Sequence, residues 1–369
     1  MELSLYRCFK SDQRISMEIY ADGVEKALIA NQLEPNSIFP SSSLEKWRDN
    51  AWVMRYLRYV DYPRQIKKKR TNNENQIHHI IDHGYAHLYP SLSGGKTCIS
   101  VHDLIPFLTW KGVIKKDSTG DPFSVRKPSF NLYSINFIKK FDRVITISQN
   151  TANDLQHYLN IDPEKISIIP PVLDDRFCSV KPSKVAALRK KYQLDENCKW
   201  LMVSGREYYK NHHTSLQVLQ HLLKETGLPI KLIKTGHYSI EFDYLVKKYD
   251  LQKHVKQCFL EDENELPALY NLIDCLLFPS LYEGFGIPVI EALACGTPVI
   301  ISNKASLPEV GSKFAVQHDC FDVKAISESL ATILKDQTFN EMYGQITDWC
   351  KQFRAPTIGA SLCAAYDSI

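Results

Sequence analysis

The stretch LLFPSLYEGFGIPVIEALACGTPVIIS, residues Leu276–Ser302, decides the fold. An apolar run at its start, Cys275–Phe278, has the length and character of a strand buried on both faces. A loop follows, then a short helix that begins near Pro288 and ends at Gly296, a residue suited to a left-handed cap. A second apolar strand, Val299–Ile301, completes a βαβ unit. The pattern therefore predicts a parallel sheet.

The loop inside this unit is a candidate binding site. In open parallel sheets ligands lie outside the carboxyl ends of strands, which is where Glu283–Gly286 falls. We expect the backbone N–H groups of Gly286, Ile287 and Val289, at the helix start, to suit polar or anionic ligand atoms. A carboxylate at Glu291 would repel a phosphate on the helix axis, so its expected partner is a pair of sugar hydroxyls.

The segment EGFGIPVIE, Glu283–Glu291, resembles the E-x7-E motif of the retaining nucleotide-sugar transferases of glycosyltransferase family 4. The flanks agree, because FPSLYEGFGIPVIEALACGTPVI is similar to that family's motif over more than twenty consecutive positions. The resemblance implies an α/β protein of GT-B fold, with two Rossmann-like domains facing across a cleft and a carboxyl-terminal helix crossing back to the first domain. The alternative is that Glu291 only complements the helix dipole and Glu283 is solvated.

The chain of 369 residues is long enough for two domains. The resemblance and the element pattern together predict an acceptor-binding domain at 1–172 and a linker at 173–198. A donor-binding domain is expected at 199–348, and 349–369 is expected to form a helix that packs back on the first domain.

Composition excludes several classes of protein. Apolar residues make up 44% and charged residues 24%, as in a soluble globular enzyme. The net charge of +3 is too small to indicate a nucleic-acid partner. Ten cysteines without a CxxC pair indicate reduced thiols in a cytosolic protein. We expect no secretory signal and no membrane span, and hence a cytoplasmic location.

A peripheral contact with a membrane is compatible with the absence of a membrane span, and one stretch of the sequence is a candidate for it. The basic run RQIKKKR, Arg64–Arg70, follows Tyr56, Leu57, Tyr59 and Tyr62, and such a mixture can touch anionic lipid. A solvated loop that continues into TNNEN is the alternative, and the pattern favours it.

A second candidate loop, GREYYKNHHTSL, follows the predicted strand 199–204. Gly205, Arg206 and Lys210 offer a glycine and two cations, and either Asn211 or Thr214 is suited to cap the following helix. The loop resembles the family's donor-phosphate loop, with Arg206 and Lys210 in the roles of its arginine and lysine. A solvated helix start is the alternative.

The segment TCISVHDLIPF resembles the family's strand that ends in His-Asp before an acceptor-facing loop. His102 is therefore a candidate catalytic residue in the cleft, and a structural histidine is the alternative. The resemblance also implies that Glu283 lies near the transferred sugar and Glu291 on the ribose. The implied donor-binding residues are Gly205, Arg206, Lys210, Glu283, Gly284, Phe285, Gly286, Ile287 and Glu291.

Two segments leave part of the site open. Many of these transferases have a glycine-rich loop after the first strand, whereas this chain has SDQRISME, Ser11–Glu18, where Arg14 or Ser16 could supply side-chain contacts instead. The polar segment Lys111–Lys127 is predicted to be a mobile loop over the cleft or a part of the acceptor site.

A metal site is not expected. Histidines and other polar groups end two predicted strands, but none has the helical spacing that zinc sites commonly show, and no DxD motif is present. These residues are His83, Tyr85, His87, His102 and Asp103. Family 4 enzymes are typically metal-independent, so we expect no cofactor besides the donor substrate.

The predicted function is retaining transfer of a hexose, of mannose or glucose type, from a GDP- or UDP-linked sugar to a saccharide or lipid-linked saccharide. The resemblance points to polysaccharide, lipopolysaccharide or glycolipid assembly. The base, the sugar and the acceptor stay open. The alternatives are a sugar-nucleotide epimerase or phosphorylase of the same fold, and a non-catalytic sugar-nucleotide-binding partner of another transferase.

Overall fold

The computed structural model describes most of the chain, namely residues 2–12, 14–69, 73–114, 131–237, 239–335 and 338–369. The chain folds into two compact units. The first unit contains the residues up to Val113, the segment that ends at Val172, and Gln352–Ile369. The second unit contains Leu173–Lys351.

The first unit is built on a six-stranded parallel sheet. Its strands are β1 (Glu2–Tyr6), β2 (Asn36–Ile38), β3 (Gln76–Ile80), β4 (Lys96–Val101), β5 (Arg143–Thr146) and β6 (Ile166–Ile168), in the order β2-β1-β3-β4-β5-β6. The α-helices of this part of the chain are α1 (Ile15–Ala30), α2 (Ala51–Tyr56), α3 (Tyr62–Lys68), α4 (Ile105–Trp110), α5 (Asn131–Ile135) and α6 (Gln149–Leu159).

A second six-stranded parallel sheet forms the other unit. Its strands are β7 (Lys199–Ser204), β8 (Ile230–Thr235), β9 (Val255–Cys258), β10 (Cys275–Phe278), β11 (Val299–Ser302) and β12 (Val316–His318), in the order β12-β11-β10-β7-β8-β9. Its α-helices are α7 (Pro182–Lys191), α8 (His212–Thr226), α9 (Ile240–Lys248), α10 (Leu266–Leu272), α11 (Ile287–Ala294), α12 (Leu307–Gly311), α13 (Val323–Lys335) and α14 (Tyr343–Cys350). The last helix, α15 (Ala355–Asp367), belongs to the first unit.

Local sequence explains the central βαβ unit. Every residue of β10 and β11 is buried, as their apolar runs predict. The helix between them ends where Gly296 takes φ = 80°, a left-handed conformation that glycine adopts without strain. The predicted strand, helix and strand are therefore confirmed.

The order of the strands fixes where a ligand can bind in the second unit. The first strand of that sheet, β7, lies between β8 and β10, so the connections leave it in opposite directions. In such sheets the loops that follow the two central strands flank a crevice at the carboxyl edge. The loops after β7 and β10 are the two that the sequence singles out.

The segment 173–198, predicted as a linker, lies in the second unit and contains the helix α7, which was not predicted. Leu188 is the buried residue of this helix, and its other residues are largely exposed. A helix with so narrow an apolar face leaves little periodicity in the sequence, which is why it was missed.

The carboxyl-terminal helix packs closely against α1 within the first unit. A Cβ atom at Gly359 would lie 2.0 Å from the carbonyl oxygen of Ala27, so only glycine permits this approach of the two helices. The amide Nδ2 of Asn31 donates to the carbonyl oxygen of Pro356 at 3.0 Å. The return of the last helix to the first unit confirms that part of the predicted fold.

In the basic and aromatic stretch around Arg64, Leu57, Tyr62 and Ile66 are buried, whereas Tyr56, Arg64, Lys67, Lys68 and Lys69 are exposed. Leu57–Asp61 is a π-helical turn that links α2 to α3. Contact of this stretch with lipid stays a prediction. Alternation of charged and apolar residues reflects one exposed and one packed side of a helix. Within the described ranges, no helix is long and apolar enough to cross a membrane.

Two further predictions concern loops and thiols. Of the predicted polar loop Lys111–Lys127, residues 115–127 lie outside the described residues. All ten cysteines are free, and seven of them are buried, in agreement with the expectation of reduced thiols.

Candidate functional site

The loop between β10 and α11 is shaped by Gly286. This glycine takes φ = 108° at the amino-terminal cap of α11. A Cβ atom there would lie 2.7 Å from Cδ2 of Leu307, so both the backbone conformation and the packing require glycine. Gly284 and Phe285 precede it and are buried.

The amino end of α11 offers two backbone donors. In the described part of the chain, no hydrogen-bond acceptor is found for the N–H groups of Gly286 and Ile287. The N–H of Val289 instead donates to the carbonyl oxygen of Gly286 at 2.9 Å. The prediction that Val289 is available to a ligand is therefore wrong, because the first turn of the helix tightens. The two remaining N–H groups and the helix dipole suit an anion.

Lys210 and Glu283 form an ion pair between the two candidate loops. The Nζ of Lys210 donates to both carboxylate oxygens of Glu283, at 2.9 and 3.1 Å. The ammonium also lies 4.8 Å from the centre of the Phe278 ring. Only 13% of the lysine side chain and 9% of the glutamate side chain are exposed. The alternative of a solvated Glu283 is therefore wrong.

This pair has a clear energetic consequence. Two charges removed from water are tolerated when each compensates the other, and removal of one partner leaves a buried charge without compensation. An ammonium has three N–H donors, and Glu283 takes two of them. A ligand oxygen can therefore join Lys210 without breaking the pair.

The loop after β7 is held in place by Gly205 and Asn211. A Cβ atom at Gly205, whose φ is 85°, would lie 2.8 Å from Cε of Lys210, so glycine makes room for the lysine stem. The Asn211 amide donates to the carbonyl oxygens of Pro279 and Cys320, at 3.1 and 2.8 Å. Its side-chain oxygen also caps α8, so of the two predicted alternatives, Asn211 and Thr214, the cap is Asn211. Asn211 thus joins the loop after β7 to the end of β10.

Arg206 occupies a different position from Lys210. Its side chain is 60% exposed, and its Nε lies 3.8 Å from the Glu207 carboxylate. Burial disfavours the ionised form of Glu207, yet the pKa of that carboxyl is lowered because backbone N–H groups and the charge of Lys210 stabilise the carboxylate. Arg206 is therefore a solvent-exposed cation at the rim of the loop rather than part of the buried pair.

Glu291 contacts a residue that the motif does not contain. The hydroxyl of the buried Tyr270, in α10, donates to Oε2 of Glu291 at 2.8 Å. Burial raises the pKa of Glu291 to about 7, although the Tyr270 hydroxyl and the charge of Arg176 oppose the increase. The carboxyl is therefore poised to titrate near neutral pH.

Ser306 was also missed by sequence reasoning. Its buried hydroxyl donates to the carbonyl oxygens of Glu283 and Phe285, at 3.0 and 2.7 Å. These bonds fix the conformation of the loop that precedes Gly286. A serine some twenty residues beyond the loop carries no signal in the motif, since only the fold brings it near.

A buried lysine in β8 is a third residue that sequence reasoning missed. Lys234 is 1% exposed, and its Nζ donates to the carbonyl oxygen of His237. Burial lowers the pKa of Lys234, with the charge of Glu207 acting against this effect. The strand pattern IKLIKT gives no sign that the second lysine is buried while the first is half-exposed.

His102 lies in the first unit, just after β4. It is 4% exposed, and its Nε2 donates to the carbonyl oxygen of Ile81 at 2.9 Å. Its ring packs edge-on against Tyr20, with 4.4 Å between the ring centres. Burial lowers the pKa of His102, so the imidazole is neutral at pH 7. Its catalytic role stays a prediction.

The segment Ser11–Glu18, which stands in place of a glycine-rich loop, brings the cation Arg14 to the carboxyl edge of the first sheet, the edge at which His102 lies. The guanidinium of Arg14 forms an ion pair with the buried Asp82, which follows β3. This pair keeps the pKa of Asp82 below its ordinary range despite burial, which acts in the opposite direction. Arg14 is thus engaged with a carboxylate, and a ligand contact by Arg14 or Ser16 stays a prediction.

The histidines that invited a metal hypothesis have other contacts. His87 bonds the hydroxyl of Ser134 and the carbonyl oxygen of Arg58, each at 2.9 Å. Among the residues that the structure describes, no group of three or more histidine, cysteine or carboxylate side chains is placed to hold a metal ion. Metal-independence of the protein stays a prediction.

Family comparisons cover both halves of the chain. Residues 19–177 match the model described as Glycosyltransferase Family 4, and residues 185–348 match that of Glycosyl transferases group 1. The O-antigen chain mannosyltransferase B of Escherichia coli is 30% identical over 202 residues, which are 54% of this chain and 53% of that protein. This chain thus spans about half the length of that relative.

A second relative matches over more of its length. The O-antigen chain mannosyltransferase RfbU of Salmonella typhimurium is 28% identical over 324 residues, 87% of this chain and 81% of that protein. Among solved structures, HepE of Anabaena in complex with UDP and glucose has a TM-score of 0.74 at 14% identity, with both chains covered completely. That likeness shows the fold. Since two family models match consecutive segments that together span most of it, the chain belongs to the family 4 glycosyltransferases and has the GT-B fold.

Proposed function

We propose that this protein transfers a hexose, mannose in the first instance, from a nucleoside diphosphate sugar to an acceptor hydroxyl with retention of anomeric configuration. Membership of the family supports the reaction class. The choice of mannose is supported by the names of the relatives, two of which are O-antigen chain mannosyltransferases. By the same comparison the acceptor is a saccharide or lipid-linked saccharide of a surface polysaccharide.

The observation that carries the proposal is the grouping of anion-binding elements at the crevice of the second sheet. The N–H groups of Gly286 and Ile287 lie at the start of α11, and Glu283 in the preceding loop holds Lys210. A diphosphate needs both kinds of donor, because its charge grows as the sugar departs. Arg206 at the exposed rim adds a cation for the same group.

The proposed reaction exchanges one bond for another at the anomeric carbon of the sugar. The bond from this carbon to the diphosphate oxygen breaks, and the acceptor oxygen forms its bond on the same face. The acceptor proton passes to an oxygen of the leaving diphosphate. Lys210, Gly286 and Ile287 stabilise that leaving group, while Glu283 lies beside the sugar and Glu291 accepts the ribose hydroxyls.

We propose that His102, a residue of the first unit, takes part in the transfer reaction. Its neutral ring can hydrogen-bond a sugar or acceptor hydroxyl and position it. We propose no metal and no organic cofactor, since the donor diphosphate is neutralised by Lys210, Arg206 and the helix. The proposal that no metal is needed is tested by measuring transfer in the presence of EDTA, which should leave the rate unchanged.

A cytoplasmic location and a peripheral contact with anionic lipid are part of the proposal. Trp47 and Trp52 are 59% and 75% exposed, and Lys46 and Arg55 lie over their rings. Exposed tryptophans beside cations suit a membrane interface, as does the exposed basic side of the stretch around Arg64. Co-sedimentation with anionic vesicles tests this, with Trp47→Ser/Trp52→Ser as the variant.

The reaction is tested by incubating the protein with GDP-mannose, UDP-glucose and ADP-glucose, with and without oligosaccharide acceptors. Proton NMR of the first product follows the anomeric signal. The proposal predicts transfer from at least one donor with the α-anomeric configuration of that donor. Epimerised donor, phosphorolysis, or binding without turnover on any acceptor would support the alternative functions instead.

A further inference from the structure

A cavity in the first unit lies apart from the residues assigned to transfer. It has a volume of about 430 Å³ and lies between the sheet face of β1 and β3, the helix α3, and the segment Ser91–Ser93. Small-molecule sites commonly have volumes of about 300 to 1,000 Å³. The cavity is thus large enough for a ligand of one or two rings.

The sheet face beneath this cavity is unusually polar. Ser4 and Tyr6 of β1 line it together with Gln76 and His78 of β3, and none of the four is more than 7% exposed. Strands of a parallel sheet that is covered on both faces are normally apolar. Burial of polar groups is unfavourable unless they have hydrogen-bond partners, so the presence of four polar side chains on this buried face requires an explanation.

Hydrogen bonds hold these side chains in fixed orientations. Gln76 donates to the hydroxyl of Ser4 at 2.9 Å, and Nε2 of His78 donates to the carbonyl oxygen of Gly94 at 3.0 Å. Since Nε2 carries the hydrogen, Nδ1 of His78 accepts from the Tyr6 hydroxyl at 2.8 Å. Burial lowers the pKa of His78, so its imidazole is neutral at pH 7.

One polar group of the lining has no protein partner. The hydroxyl oxygen of Ser93 is buried and lacks a hydrogen-bond partner within the described residues. The amide of Asn36, on the edge strand β2, stands at the exposed mouth of the cavity. A ligand hydroxyl at this mouth can bond the Asn36 amide, because a hydroxyl donates and accepts.

The lining also selects the class of ligand. Its charged residues are Glu2, to which the Asn73 amide donates at 2.7 Å, and the exposed Lys69, so a multiply charged anion finds no cluster of cations. Rings of Phe39 and Tyr62 provide apolar faces beside the hydroxyl and amide groups. We propose that this cavity is a second saccharide-binding site, which takes an uncharged sugar ring.

The site is separate from the proposed place of transfer. The lining residues Glu2, Ser4 and Tyr6 run the length of β1, and none of the residues assigned to transfer is among the lining residues. His102 follows β4, a strand that does not line the cavity. Binding at this site does not rest on the proposed function, because it needs neither donor nor turnover.

Binding is tested on the full chain, without nucleotide, by saturation-transfer NMR and calorimetry with methyl α-mannoside and α-linked mannobiose. We expect a Kd of about 1 mM or tighter for at least one of them. Asn36→Trp, which places a large side chain at the exposed mouth, should weaken binding about tenfold or more without lowering the melting temperature. The exposed neighbour Glu34→Trp is the matched control and should bind normally.

Two further measurements separate this site from its rivals. His102→Ala should keep the sugar affinity of the wild type, since that residue does not line the cavity. Inorganic phosphate should not compete with the sugar. The proposal is overturned if neither sugar binds, if Asn36→Trp binds as well as wild type, if His102→Ala abolishes binding, or if phosphate displaces the sugar.

Discussion

Lys210 donates hydrogen bonds to the two carboxylate oxygens of Glu283, at 2.9 and 3.1 Å, so the loop after β7 and the loop after β10 are joined by one buried pair. The sequence assigns these residues to different parts of a donor, the lysine to the diphosphate and the glutamate to the sugar. Their contact means that the two loops are oriented together before a ligand binds. Variants of either residue therefore change stability as well as binding.

Lys210→Ala should lower the free energy of unfolding by about 3 kcal/mol, because it leaves Glu283 charged and buried without a partner. The double variant Lys210→Ala/Glu283→Gln should recover part of this loss. Urea unfolding of the two variants measures both effects. Equal stability of Lys210→Ala and wild type would show that the pair does not persist in solution.

Lys210→Ala should also weaken binding of free GDP or UDP. A charge-assisted hydrogen bond to phosphate contributes about 1.5 to 3 kcal/mol, which corresponds to roughly 10- to 150-fold in Kd. Calorimetry on protein shown to be folded measures this. Lys199→Ala is a suitable control, since Lys199 pairs with Asp274 at the opposite end of β7. Unchanged affinity in a folded Lys210→Ala would remove this residue from the site.

Stability and nucleotide binding should depend on the ionisation of Glu291. Burial raises its pKa from the ordinary 4.5 to about 7, so between these values the folded chain binds more protons than the unfolded chain. Its contribution to stability is fully present below pH 4.5 and is lost as the pH rises through 7. The stability of Glu291→Gln relative to wild type should therefore increase across this range, as measured by unfolding at each pH.

Nucleotide affinity should change in the opposite direction with pH. If the ionised carboxylate of Glu291 accepts the ribose hydroxyls, affinity for GDP or UDP should rise as the pH passes through 7. Tyr270→Phe removes a donor to the carboxylate and should shift the midpoint to higher pH. Nucleotide affinity that does not change with pH in the wild type would contradict this role of Glu291. An unchanged pH midpoint in Tyr270→Phe would contradict the contact between Tyr270 and Glu291.

The two glutamates of the motif should have separable effects. Glu291→Ala should weaken binding of the free nucleotide, whereas Glu283→Ala should lower turnover more than nucleotide affinity. Comparison of Kd for the nucleoside diphosphate with kcat for transfer separates them. Equal losses of nucleotide affinity in both variants would defeat the assignment.

His102→Ala should reduce transfer without affecting the second unit. We expect nucleoside diphosphate affinity near that of wild type and a loss in kcat on the order of 10² or more, as for other positioned polar side chains. His87→Ala is the matched control, because His87 is also a buried histidine of the first unit whose ring is hydrogen-bonded. Full activity of His102→Ala, or a loss explained by a lower melting temperature, would leave His102 a structural residue.

The sequence was sufficient to predict those features of the structure that depend on residues adjacent in the chain. The strands β10 and β11, the glycine at Gly296 and the capping role of Asn211 follow from residues that are adjacent in sequence. The resemblance predicted the fold and the two loops.

Contacts between residues that are distant in sequence could not be predicted, because only the fold brings them together. Tyr270 meets Glu291 across 21 positions, and Ser306 reaches back to Glu283 across 23. Lys234 has a polar side chain in a position that only the sheet's packing buries. The helix α7 was missed because it packs through a single buried residue, Leu188.

A crystal structure of the protein with bound GDP or UDP tests the central claim most directly. The account predicts the diphosphate within hydrogen-bond distance of the N–H groups of Gly286 and Ile287 and of Nζ of Lys210, with the ribose hydroxyls on Glu291. Lys210 should keep its contact with Glu283 in that complex. A nucleotide bound away from the crevice between β7 and β10, or one whose ribose lies far from Glu291, would contradict it.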